Sequence, residues 1–437
     1  MNFICNVPIA IGKQENGPQK TPNLPIAIGT LQKNQKHILI LLKFVTYGKP
    51  KTMNFLKKFL KWFVITLAAI IILMYIFDVD YLLRAVRTIY FRGYTTAFLN
   101  DYTHFPNREI KKGVAQPWAL AKDYNSVPAT QELNKTHKEL QTVAYLIIKN
   151  DSIWHESYFD GYGKDSKSNS FSMAKSVISA ALGKAIMEGK IKSLDQKVTD
   201  FFPELKGQYA KEVTVGDLSS MASGLSWDEK YYSPLSIVTR AYFDNDLKKV
   251  ILGLDIKEKP GQTFKYLSGS TQLLAMCIEK ATGEYVSDYV SKNFWQPMGA
   301  ENEALWQLDH NDDGIEKAYC CIASNARDFA RFGKLYNQGG KWNGQQLLDS
   351  TFVAKSITPR FPDSPQYGYG FWLHNINGKQ LFYMRGHLGQ FVIVIPKDNV
   401  IIVRLGHIKG LQTETDPHSN DLYVYVNEAY KMLEKRK

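Results

Sequence analysis

Phe171-Ser172-Met173-Ala174-Lys175-Ser176 opens a stretch that runs through Val177, Ile178, Ala181, Leu182, Ala185 and Ile186 to Gly189. Apolar residues fall on most sides of the implied helix, so the helix is expected to be buried. Ser172 and Lys175 stand at i,i+3 at its start, which puts hydroxyl and amine on one face. No other Ser-x-x-Lys occurs in the 437 residues. A lysine opening a buried helix is costly unless it is used or paired. A serine hydroxyl attacks an acyl carbon only beside a base and in an electropositive site. A helix N-terminus supplies partial positive charge, and burial lowers the pKa of a lysine until its amine can act as a base. The pattern therefore points to a nucleophile and its base.

Working outward, Val143-Ala144-Tyr145-Leu146-Ile147-Ile148 and Ile153-Trp154-His155-Glu156-Ser157-Tyr158 flank Asn150-Asp151 and read as a β-hairpin. Helices are expected at Ser270–Thr282, with Gly283 as C-cap, and at Asn325–Asn337, with Ser324 as N-cap. Strands return at Leu381–Met384, Phe391–Ile395 and Val400–Val403, and a last helix, about Asn420–Glu434, is expected to cover the sheet. Strands early and late with helices between imply an α/β (α+β) domain. Its antiparallel sheet draws on both ends of the sequence, is flanked by helices and carries an inserted, mainly helical domain.

The composition is that of a globular protein, with 44% hydrophobic residues, and the net charge is +12. Residues 1–61 hold ten lysines and one acidic residue, Glu15, leaving only +3 for the other 376 residues. Basicity is thus a property of the N-terminal tail, and a nucleic-acid-binding body is not implied. Trp62 to Phe77 carries no charge, and with Phe59-Leu60-Lys61 it approaches the roughly 20 residues that span a bilayer. Lys57, Lys58 and Lys61 precede it, which puts the N-terminus in the cytoplasm and the body outside. The run ends in bulky Met74-Tyr75-Ile76-Phe77 rather than in small residues, so an uncleaved signal anchor is expected. Asn6-Val7-Pro8-Ile9-Ala10-Ile11-Gly12 recurs as Asn23-Leu24-Pro25-Ile26-Ala27-Ile28-Gly29, and Met53-Asn54-Phe55-Leu56-Lys57-Lys58 has the look of a start. The division expected is a basic extension over 1–52, whose start is open to mis-assignment in favour of Met53, an anchor over 53–80, a connector over 81–125 and the main folded domain over 126–437. Cys5, Cys277, Cys320 and Cys321 make no disulfide framework, and the adjacent pair are expected to be poor partners for each other.

Residues 140–410 resemble the serine β-lactamase/penicillin-binding-protein superfamily, most closely its class C-like esterases, D-aminopeptidases and 6-aminohexanoate-dimer hydrolases. The resemblance rests on motifs in family order: Phe171–Ser176, Glu188-Gly189-Lys190-Ile191, Phe202-Pro203-Glu204-Leu205, Val213–Leu218 and Met221–Trp227. It continues with Pro260–Ser268, Ala326–Gly333, Tyr369-Gly370-Phe371-Trp372 and Gly386-His387-Leu388-Gly389-Gln390. It implies a β-lactamase/transpeptidase-like fold and acyl-enzyme chemistry. Ser172 is the implied nucleophile, Lys175 its base, and Tyr266 a proton shuttle. The backbone N–H groups of Ser172 and Gln390 are the implied oxyanion hole. Ser268, His387 and Gly389 are implied at the substrate, and Tyr231 and Tyr232 are candidates for its acyl pocket.

Two departures shape the expected activity. Tyr266-Leu267-Ser268 has a serine where the family has an asparagine, and His387-Leu388-Gly389 lacks the lysine that holds a substrate carboxylate. Histidine is at most fractionally charged near neutral pH. An ester or amide of a neutral or differently charged acyl compound is therefore expected. A weak β-lactamase or D-amino-acid/cell-wall peptidase, and a non-catalytic receptor of the same fold, are the alternatives. No His-Glu-x-x-His or other ligand cluster and no phosphate-binding loop occur, so neither a metal nor a cofactor is implied. Asp328 and Arg331 read as a helix-surface pair, and Trp372 as sheet-edge packing.

Overall fold

A computed structural model describes residues 50–311 and 313–436. The N-terminal extension to residue 49, with its repeated heptapeptide and Cys5, lies outside the described residues. The chain divides into two compact units after Phe77.

In the first unit, helix α1 (Pro50–Ile76) contains the apolar run. From Met53 to Ile76 it is long and apolar enough to cross a membrane, by length and composition alone. Phe59, Trp62, Phe63 and Ile72 are exposed on it, where a core helix would bury them.

The second unit is built on a sheet of seven strands. Its members are β2 (Ala119–Leu120), β3 (Thr142–Lys149), β4 (Ser152–Tyr158), β10 (Trp372–Ile376), β11 (Lys379–Gly386), β12 (Gln390–Ile395) and β13 (Val400–Gly406). Their order is β10-β11-β12-β13-β3-β4-β2, so early and late strands share one sheet. All neighbours are antiparallel except β2 and β4. Successive side chains of a strand point to opposite faces. On β12, Val392 and Val394 join one core while Phe391, Ile393 and Ile395 join the other. On β13, Ile401 and Val403 divide from Val400 and Ile402 in the same way. Both faces are covered, which is why these strands read as unbroken apolar runs.

On one face lie helices α3 (Ala174–Met187), α4 (Ser268–Thr282) and α5 (Ala326–Asn337). Gly333 lets α5 approach the sheet: a Cβ there would lie 2.9 Å from Val392 Cγ1 and 3.0 Å from Val394 Cγ2. The last helix, α6 (Asn420–Glu434), covers the other face with Leu422, Tyr425, Val426, Ala429 and Met432. A smaller sheet joins β1 (Asn107–Ile110), β6 (Ala304–Gln307), β7 (Ile322–Ser324) and β5 (Ser168–Asn169). A pair, β8 (Lys341–Trp342) and β9 (Gln345–Gln346), completes the strands. The stretch after Phe77 is built into this unit: Tyr81, Ala85, Phe98, Leu99 and Phe105 belong to the main core.

Three local expectations are corrected. Asn325, not Ser324, caps α5, because Ser324 is the last residue of β7 and the Asn325 side chain accepts from the Asp328 N–H. Asp328 and Arg331 are a buried pair at 2.9 Å rather than a surface one. Asp328 also accepts from the Glu301 and Asn302 N–H groups, which fixes the entry to β6. Cys320 and Cys321 are joined as a vicinal disulfide, and Cys277 is free and buried.

Candidate active site

Ser172 lies on a single 3-10 turn, Phe171–Met173, that leads from β5 into α3. Phe171 adopts φ 45°, a left-handed conformation that an aromatic residue enters only when its surroundings hold it there. The holders are identifiable. Ser170 donates its N–H to Ile322 O (2.7 Å), and its Oγ accepts from the Ile322 N–H (3.1 Å). Asn169 Oδ1 accepts from the Phe171 N–H at 2.8 Å, and its amide donates to buried Asp101 at 2.9 Å. The turn is thus clamped from β7 and from the segment ahead of β1.

Lys175, one turn on, is 3% exposed. Its Nζ stands 2.8 Å from Ser172 Oγ and donates to Tyr319 O at 2.7 Å. Burial, opposed by the Glu229 carboxylate, brings its pKa down to about 7. Near neutral pH a substantial fraction of the amine is therefore uncharged and able to accept the serine proton.

Tyr266 precedes α4. Its ring centre is 5.2 Å from Lys175 Nζ, and it lines one cleft together with Ser172. Burial and then Glu229 hold its pKa above the ordinary phenol value. A phenolate is disfavoured, which leaves proton relay as the chemistry open to this tyrosine. Ser268 donates both its N–H and its hydroxyl to Glu229. Tyr231 stacks on His387, with ring centres 5.5 Å apart and planes 7° apart. Burial brings His387 down to about 4, so its imidazole is neutral through the physiological range.

The structure separates the His387-Leu388-Gly389-Gln390 residues. Leu388 turns the chain at φ 62°, and Gln390 begins β12 opposite Gly386. The buried Gln390 amide donates to His387 O and Gly406 O and accepts from the Gly406 N–H. Gly389 packs on Arg404, where a Cβ would lie 2.5 Å from Nη1. Gln390 and Gly389 support the turn from behind and line neither cavity at Ser172, whereas His387 lines both. Gly386 makes this approach possible: a Cβ there would lie 2.2 Å from Ser170 O.

Two cavities meet at Ser172, and Tyr231, Tyr232 and His387 border both. One, of about 250 Å³, is apolar and is walled by Ala85, Ile89, Val238 and Phe243. The other, of about 340 Å³, is a polar cleft holding Glu229, Tyr266, Arg385 and Lys409. Trp372 lines this cleft under the Arg385 guanidinium, 5.0 Å from its ring centre, so it does more than pack a sheet edge. Glu229, Arg385 and Lys409 were not singled out from the sequence. They lie in no motif, and only the fold gathers them. Among the described residues no cluster of metal-ligating side chains occurs.

A profile of the Beta-lactamase family matches residues 128–422. Over 313 residues the chain is 25% identical to the 6-aminohexanoate-dimer hydrolase of Paenarthrobacter ureafaciens, covering 64% of this chain and 79% of that protein. A solved Bacillus anthracis protein assigned as a 6-aminohexanoate-dimer hydrolase superposes with TM-score 0.63 at 23% identity, over 77% of this chain and 94% of that one. The D-amino acid amidase of Ochrobactrum anthropi SV3, solved with L-phenylalanine amide, superposes with TM-score 0.52 at 16% identity, over 69% and 95%.

Proposed function

Because the chain belongs to the Beta-lactamase family, and relatives it matches are hydrolases, we propose that it is a membrane-anchored serine hydrolase that cleaves an ester or amide through an acyl-enzyme on Ser172. The observation that carries this reading is the 2.8 Å separation of Lys175 Nζ from Ser172 Oγ, with the lysine buried and its pKa near 7. Neutral Lys175 takes the Ser172 proton as Oγ bonds to the acyl carbon. Backbone N–H groups then hold the oxyanion. We assign them to Ser172 and, in place of Gln390, to His387 at the end of β11. As the bond to the leaving oxygen or nitrogen breaks, the proton passes from the Lys175 ammonium through the Tyr266 hydroxyl to the leaving group. A water then bonds to the acyl carbon and gives one proton to the same relay. The Oγ–acyl bond breaks, Oγ recovers its proton and the acid departs.

A hydrolase named for a 6-aminohexanoate dimer and an amidase among the similar proteins support a small ester or amide as the substrate class. A peptidase or weak β-lactamase is the second reading, and the observation in its favour is that Arg385 and Lys409 line the cleft and could hold a substrate carboxylate. We take α1 as the anchor. Lys57, Lys58 and Lys61 would face the cytoplasm and the hydrolase the other side. A fluorophosphonate probe tests the central claim: it should label the full chain covalently, and Ser172→Ala should abolish the label. Folded wild type that takes no label would overturn it.

A further inference from the structure

One wall of the apolar cavity comes from residues ahead of the matched family segment. Leu82, Ala85, Val86 and Ile89 line it from helix α2 (Tyr81–Thr88) and its C-cap. This wall is fixed in place. Arg84 donates to Asp309 O at 2.6 Å, Tyr81 reaches Pro234 O at 3.3 Å, and Ala85 and Ile89 are buried. Val238, Tyr242 and Phe243 face it from a helix at Ile237–Phe243. Among the described residues that line the cavity there is no Asp, Glu, Lys or Arg, and its single histidine, His387, is held neutral. The cavity ends on Ser172 itself. At its rim the large side chains Val86, Tyr90 and Tyr232 are exposed.

A charged acyl group would lose its water here without finding an opposite charge. An aliphatic chain would lose only apolar hydration, and each methylene buried would favour binding about fourfold. At about 250 Å³ the cavity falls below the roughly 300–1,000 Å³ of drug-sized pockets, which suits a chain of moderate length better than a bulky ring system. We propose that this cavity is an acyl-chain site. The acyl half of the substrate is a medium-length aliphatic chain seated between α2 and Ile237–Phe243, and the leaving half lies in the polar cleft. The inference rests on the Ser172 acyl-enzyme reading and adds to it the class of acyl group transferred.

The test uses the full chain in detergent micelles with p-nitrophenyl acetate, butanoate and octanoate. Wild type should turn over the octanoate with a kcat/KM at least tenfold above that for the acetate. Ala85→Trp, which fills the cavity from α2, should lower the octanoate-to-acetate ratio at least tenfold. Thr96→Phe, at a half-buried position on the same wall, should lower it in the same direction and guards against a folding failure at Ala85. Acetate turnover equal to or above octanoate turnover in wild type would overturn the inference while leaving the acyl-enzyme reading intact. A ratio untouched in both folded variants would do the same. Absence of both ester turnover and fluorophosphonate labelling in wild type would overturn the two together.

Discussion

The two cavities that share Ser172 differ in what they can hold. On one side the lining is aliphatic and aromatic, and its wall is borrowed from the segment between α1 and β1. On the other, a carboxylate and two cations surround Tyr266 within about 340 Å³. A serine acyl-transfer site needs this asymmetry. The acyl group remains attached while water enters, so its cavity gains from excluding charge. The leaving group must be protonated and released, so its cleft gains from titratable and polar groups. The serine stands at the junction because a strained Phe171 turn and Gly386 bring two backbones together there.

The most severe way to break this comparison is to remove what the two sides share. Ser172→Ala should lower kcat by at least about 10⁴-fold for acetate and octanoate esters alike, as loss of a nucleophile does elsewhere. If either ester kept its rate, the cavities would not serve one nucleophile. Next in size is a change confined to the polar side. Tyr266→Phe should cost about 100- to 10⁴-fold in kcat, the range for a positioned proton donor, with KM little moved. The loss should be larger for an amide than for a nitrophenyl ester, because an amine leaves only when protonated. Equal losses on both substrates would remove Tyr266 from the proton path.

The sequence made the large elements of this arrangement legible and hid the small ones. The strands at Thr142–Lys149, Gln390–Ile395 and Val400–Gly406 could be read because long β-branched runs have few other fates. Ser172 and Lys175 could be read because helical spacing alone brings them together. The four-stranded sheet could not, since its strands are two to four residues long and two of its three pairings join distant segments, Asn107 with Gln307 and Ser168 with Ser324. Glu229 was hidden for a related reason: it becomes a site residue only through Ser268, 39 positions away. Gln390 lines neither cavity at Ser172, which counting along a motif does not foresee, because Leu388 bends the chain between His387 and Gln390. The pairing of Cys320 with Cys321 belongs with these, being set by a left-handed Cys321 at φ 78° that no spacing rule signals.

A milder change sharpens the comparison without disabling the enzyme. Arg385→Ala and Lys409→Ala should each lower kcat/KM about tenfold for a substrate whose leaving half bears a carboxylate, the size of a partly screened ion pair. A neutral ester should be affected much less, and added salt should narrow the difference. Equal effects on charged and neutral substrates would mean that the cations shape the cleft through packing alone. Arg385 does hold Pro417 O and Gln412 at 2.6 and 2.7 Å, so the Lys409 variant is the cleaner of the two.

The smallest expected effect concerns pH. The Lys175 amine is a base only when uncharged, and its pKa is brought down to about 7. The kcat/KM profile should therefore rise with pH through about 7 and level off above it. His387, already neutral above about 4, should contribute no second limb in that range. Glu229 opposes the fall in the lysine pKa, because its negative charge favours the ammonium form. Glu229→Gln keeps an oxygen that can accept from Ser268 and removes that charge. The acid limb should then move to lower pH, and Lys175 should be active at a pH where wild type is still protonated. The same substitution relieves Tyr266 of a negative neighbour, but that phenol stays protonated in either case, since burial is the larger cause of its raised pKa. A limb that moved upward or stayed in place would mean that the group titrating near 7 is not Lys175, and the polar cleft would then lose its claim to set the protonation of the nucleophile that both cavities use.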